Sequence, residues 1–165
     1  MLHLKKAAGL IFVTLSLLAG VTAYTAWKNQ PRDAQPLCLT HHVITKSGVL
    51  RIAVVDEPRT IRTGLMFRKD LDSHEGMLFM LGGQRVARFW MKNTVIPLDI
   101  IFLDSDFNVI RVSRGVPMSL SPIESGSPSP MVLEVPAGAA EMHGLSEGVR
   151  LSVPARIENP PSCRD

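Results

Sequence analysis

From residue 48 onward the chain sets short apolar runs between clusters of turn formers, a spacing that predicts a β-rich fold with few helices. The stretch "GVLRIAVV" alternates and carries β-branched residues, which places a first strand at 49–55. Next, "DEPRTIRTGLMF" offers Asp56 or Glu57 as a cap, Pro58 in the first turn, and Ile61 and Leu65 one turn apart, the marks of a short helix. A loop through "RKDLDSHE" leads to a strand starting at Gly76, and Gly82-Gly83 turns the chain into "RVARFWMK". "MVLEV" reads as a late strand. "PAGAAEMHG" follows as a second short helix with Pro136 near its start and Gly144 past its end, and "GVRLSV" closes with alternation. Between 115 and 130, Pro117, Pro122, Pro128 and Pro130 exclude a central strand and point to a flap or an edge-covering loop.

The segment "RFWMKNTVIPLDIIFLD" (88–104) mixes charge with apolar bulk, which is costly unless the charges are paired or line a site. Strands at 88–93 and 98–103, joined by Thr94-Val95-Ile96-Pro97, would pair positions whose numbers sum to 191. Lys92 then faces Asp99, Trp90 faces Ile101 and Met91 faces Ile100. Both faces of such a hairpin are apolar away from its tip, as in a barrel or a sheet packed between layers. The expected fold is therefore mostly β (α+β), a compact antiparallel barrel-like sheet with two short helices.

At 165 residues, 45% hydrophobic and 20% charged, the chain has material for one ordinary core. The N-terminus shows Lys5 and Lys6, then a charge-free apolar run from Ala7, then Val21 and Ala23 at the −3 and −1 spots of a cleavage site. That pattern predicts a signal peptide at 1–23 and export, to the periplasm. The alternative is an inner-membrane anchor facing the periplasm, since 7–27 is about the 20 residues a spanning helix needs. Residues 24–47 read as a polar tether, 48–157 as a single domain and 158–165 as a tail. The formal charge of +3 falls by two, to +1, without the two leader lysines, and no basic face of a nucleic-acid binder is visible. In an oxidising compartment the two cysteines, Cys38 and Cys163, are expected to form a disulfide.

"GLMFR" (64–68), "GMLF" (76–79), "FWMKNTVIPLDIIFLD" (89–104) and "LEVPAGAAEMHGL" (133–145) resemble, in order and spacing, the family named domain of unknown function 192. The resemblance runs over about 48–155. It implies a compact, mostly β single domain with small helices, often exported in bacteria, and no agreed activity. The family's recurrent polar positions map onto Arg68, Lys92, Asn93, Asp99 and Glu134. Where the family often has Gly-Asp in the last turn, this chain has Gly148-Val149, so any role of that acid is absent here.

Lys92 and Asp99 have three readings: an ion pair fixing the hairpin tip, an anion-accepting wall of Lys92 with Arg68 and Asn93, or an acid/base pair. Asn93 could equally serve turn chemistry. Trp90 reads first as core and second as a ligand platform. Glu134, between Leu133 and Val135, could satisfy Arg68 or Lys92 within a closed network. The histidines show no metal-ligand spacing: His41 and His42 are adjacent in the tether, and His74 and His143 stand alone. Met66, Met77, Met80, Met91 and Met131 fall at core-like positions. No Gly-rich phosphate loop and no Gly-x-Ser-x-Gly elbow occurs, so no cofactor is expected. The candidate ligand-binding set is Arg68, Trp90, Lys92, Asn93, Asp99 and Glu134. Its expected ligand is a small anion or polyol, or an extended peptide. The alternatives are an enzyme moving a proton through Lys92 or Asp99, and an envelope accessory protein recognising a protein partner.

Overall fold

The computed structural model describes residues 33–153. The leader, residues 24–32 of the tether, Cys163 and the 158–165 tail lie outside the described residues. Within them run β1 (Leu39–Thr45), β2 (Gly48–Val55), α1 (Pro58–Thr63), β3 (Glu75–Met80), β4 (Val86–Phe89) and β5 (Leu98–Leu103). After these come β6 (Val109–Gly115), β7 (Ile123–Pro128), β8 (Met131–Pro136) and α2 (Ala139–His143). The mostly β class with two short helices is as expected.

Six strands form one sheet in the order β1-β2-β3-β8-β5-β6, and β4 pairs with β7 in a second. All pairings of the large sheet are antiparallel except β2 with β3, which run parallel through the α1 crossover. A purely antiparallel sheet is thus corrected to a mixed one. Glu57 stays extended, Pro58 opens α1 where a missing N–H costs nothing, and Gly64 ends it at φ 48°. The sheet does not close into a barrel, but residues 149–152 reach both of its outer strands. Val149 and Leu151 bond Val109 and Phe107 beside β6, and Ser152 O accepts from Ile44 N of β1.

Alternation along each strand loads both faces of the sheet, as both-face burial requires. One face carries Val43, Leu50, Ile52, Val54, Leu78, Ile101, Leu103 and Leu133, covered by Ala139 and Ala140 of α2. The other carries Met77, Phe79, Ile100, Phe102 and Val132, packed against Ala87, Met91 and Leu65. We refer to these as the α2 face and the β4–β7 face.

Three expectations change. Leu39–Thr45, inside the segment read as a tether, is β1; of its polar-looking "LTHHVIT" only His41 and Val43 are buried, too weak a pattern to mark a strand. The 115–130 segment holds β7, which lies in the small sheet and not in the large one, where its prolines would remove ladder bonds. Finally, the 88–103 hairpin does not form. β5 has β6 on one side and β8 on the other, so neither edge is left for 88–93. β4 instead pairs with β7, Arg88 bonding Glu124 at 2.9 Å. Beyond it the chain turns at Asn93, φ 56°, with Thr94 N donating to Met91 O at 3.1 Å. Lys92 is therefore not the ladder partner of Asp99.

Candidate functional site

The motif blocks "GLMFR" and "FWMKN" are knitted together by their backbones. After α1 the chain takes a left-handed step at Phe67, φ 63°, and Phe67 N donates to Asn93 O at 2.8 Å. Asn93 is itself left-handed, a conformation asparagine tolerates better than most residues. Its Nδ2 returns to Met66 Sδ at 3.8 Å. Arg68 and the Lys92-Asn93 pair consequently sit on neighbouring turns, over the β4–β7 face.

Arg68 leans on a residue that sequence reasoning missed. Its Nη2 donates to Gln35 O at 2.7 Å. The Gln35 amide donates to Gly64 O at 2.8 Å and, at 3.0 Å, to Thr60 O, which also accepts from Gly64 N where α1 ends. The same nitrogen touches Met77 Sδ at 3.7 Å. A lone glutamine between prolines gives no signal of this role. The Nε of Arg68 is buried and has no hydrogen-bond partner among the described residues.

Glu134 lies beside that assembly. On β8 it is level with Met77 of β3 and Ile100 of β5, so its side chain shares their face. It is 4% exposed, and no hydrogen bond or ion pair offsets the burial among the described residues. Burial alone pushes its carboxyl up to about 8. The closed network expected with Arg68 or Lys92 is not what the fold builds.

Trp90 is 50% exposed rather than core, because β4 ends at Phe89 and the chain has already left the ladder. Lys92 Nζ sits 5.3 Å from the centre of its ring, within cation–π range. Close by, Met118 N bonds Thr94 O and Met91 N bonds Ser119 O, at 2.9 and 3.0 Å, joining this loop to the 116–122 loop.

Asp99 is elsewhere. It shares the face of Ile101, the α2 face, where Oδ2 accepts from Gly138 N and Ala140 N at 2.8 and 3.1 Å. Arg114 Nε donates to Oδ1 at 2.8 Å. Gly138 has no side chain to cap α2, and Asp99 supplies the missing acceptor from β5 beneath it. Five of the six predicted site residues thus gather on one side, and Asp99 stands on the other as a structural brace.

A second cluster escaped the sequence because its other members lie 69 to 98 positions from His143. His143 of α2 is buried, with Nδ1 at 2.7 and 2.8 Å from the Thr45 and Ser47 hydroxyls and Nε2 at 2.9 Å from Ser73 O. The His74 ring meets it edge-on at 5.1 Å, so neither histidine stands alone. Three partners for one imidazole describe a clasp between the β1–β2 turn, α2 and the loop before β3. Among the described residues no three His, Cys, Asp or Glu side chains are grouped as a metal ion would need.

On the β4–β7 side the chemistry available is hydrogen-bond donation: the Arg68 guanidinium, the Asn93 amide, the Lys92 ammonium and a Glu134 carboxyl that keeps its proton at neutral pH.

Comparison with known proteins agrees with this architecture. A crystal structure of a suggested transcription regulator from Sinorhizobium meliloti 1021 is 37% identical, with a TM-score of 0.63 over 68% of this chain and 91% of its own. A protein of unknown function from Novosphingobium aromaticivorans DSM 12444 is 33% identical, with a TM-score of 0.63 over 73% of this chain and 94% of its own. No curated protein matches. The model of the DUF192 family, described as "Uncharacterized ACR", matches residues 41–153, which take in both knitted motif blocks, Glu134 and the Asp99 brace, and the chain belongs to that family.

Proposed function

We propose that the protein is an exported binding module for a small polar ligand, held on the β4–β7 side by Arg68, Asn93, Lys92 and Glu134 with Trp90 at the rim. One observation carries this: the buried Nε–H of Arg68, without a partner among the described residues. Leaving such a donor unmade costs about 1–3 kcal/mol, which a ligand oxygen would recover. Export rests on the leader pattern, and with it goes the Cys38–Cys163 bridge expected of an oxidising compartment. The enzyme alternative loses Asp99, whose carboxylate is engaged by three donors.

The test is a thermal-shift screen of the full chain against small acids, phosphate, sulfate and polyols. A Tm rise with at least one compound, absent in Arg68→Ala, is expected. A flat response across the panel sinks the proposal.

A second reading has its own observation. Trp90, Val95, Val116, Met118 and Leu120, each about half or more exposed, stand on the two hydrogen-bonded loops. Met118 holds φ 62°, a left-handed strain that presents its side chain outward. Such an apolar cluster suits recognition of a protein partner. The transcription-regulator description belongs to the Sinorhizobium relative; here, the charge balance offers no basic face for nucleic acid.

A further inference from the structure

Resting on that ligand-binding reading, we infer that the ligand is a small organic acid with a second oxygen function, its carboxylate taken by Arg68 Nε–H and its other oxygen by the Glu134 carboxyl acting as donor.

The geometry has three parts. First, the two groups are the unsatisfied ones on the same face: Arg68 Nε has no partner and Glu134 has none among the described residues. Second, they are linked through a short chain of contacts, Arg68 to Gln35 O, Gln35 to Met77 Sδ, and Met77 beside Glu134 in the ladder. A bare ion would meet one of them, whereas a molecule with two oxygen groups can meet both. Third, Glu134 keeps 4% exposure where its ladder neighbours Met77 and Ile100 keep none.

Both groups offer protons, and this decides between anion and polyol. Burial raises Glu134 to about 8, so at neutral pH it donates and does not repel a carboxylate. Among the described residues the other charges on this side include Arg68, Lys92, Arg111 of β6 opposite Phe102, the Arg51–Glu75 pair bonded at 2.7 Å, and the Arg88–Glu124 pair of β4 and β7 bonded at 2.9 Å. Glu75 and Glu124 are the acids among them, and a partner arginine answers each. Ionised Glu134 would stand as an unanswered negative charge against the ligand. Binding is therefore gated by that single proton.

The test titrates the full chain with malate, succinate, acetate and glycerol at pH 7 and pH 9, where the charges of these probes do not change. Malate or succinate is expected to bind, more tightly than acetate or glycerol, and to weaken about tenfold from pH 7 to pH 9. In Glu134→Gln, whose amide still donates, binding should persist and lose its pH dependence. Wild-type affinity that is equal at the two pH values, or glycerol binding as tightly as the acids, overturns this inference and leaves the binding module standing. Absence of binding by every probe at both pH values overturns this inference, and a flat thermal-shift screen with phosphate, sulfate and the other acids and polyols as well overturns both.

Discussion

Asp99 and Glu134 lie on adjacent strands of one sheet, one residue out of step, and their carboxyl groups face opposite sides of it. Asp99 is level with Val135, and Glu134 with Ile100. A shift of one position in a period-two element moves a side chain to the other face, so two acids that look like one cluster serve two purposes. Asp99 is answered by three donors, Glu134 by none among the described residues.

Glu134 should make stability depend on pH. Its folded pKa is raised from 4.5 to about 8, so between those values the folded state holds a proton that the unfolded state has released. Stability contributed by this group is complete below about pH 4.5 and declines as pH rises, by about 1.4 kcal/mol per unit and on the order of 5 kcal/mol in all, until it levels above pH 8. Urea titrations of wild type and Glu134→Gln should show the variant gaining relative stability from pH 5 to pH 9. Parallel curves would contradict the burial argument.

Asp99→Ala removes the acceptor for two backbone N–H groups at the start of α2 and for Arg114. A loss of about 2–4 kcal/mol is expected from urea denaturation. Arg114→Ala should cost less than about 1 kcal/mol, because that side chain is more than half exposed and its ion pair is screened. If Lys92 were the true partner, Lys92→Ala would match the Asp99 variant; we expect it to leave stability nearly unchanged.

A methyl group at Gly115 would lie 2.5 Å from Met91 Sδ, and Met91 is fully buried. Gly115→Ala should destabilise by about 1–3 kcal/mol through overpacking, and Met91→Val in the same chain should restore part of that. Additive losses in the double variant would show that the two residues do not touch.

Trp90→Ala should change stability by no more than about 0.5 kcal/mol, as expected for a half-exposed side chain off the ladder. Thermal denaturation followed by circular dichroism measures it. A loss of 3 kcal/mol or more would return Trp90 to the core.

Much of the fold was legible where the signal is local. The runs that became β2, β3, β5 and β8, Pro58 opening α1 and Gly144 ending α2 were all visible as short-range chemistry. What failed was pairing between distant segments. Thr94 to Pro97 looked like a hairpin loop because its flanks suit strands, but β5 is held by β6 and by β8, the latter some 30 positions further along. Once that register was missed, the face of Asp99 was missed with it. Gln35 and the His143 clasp were invisible for the same reason: their partners lie 25 to 98 positions away. The stretch around Asn93 stood out because it sets charge amid apolar bulk, whereas Arg68 was reached only through the family resemblance.

The strip from Val149 to Ser152 has a consequence for how these molecules behave in company. Open sheets invite a neighbour's strand to add at either margin, the usual route to unwanted self-association. Here one short strip engages β1 through Ile44 and the start of β6 through Val109, so both margins are guarded at once. Loosening that strip would unveil two sticky borders together.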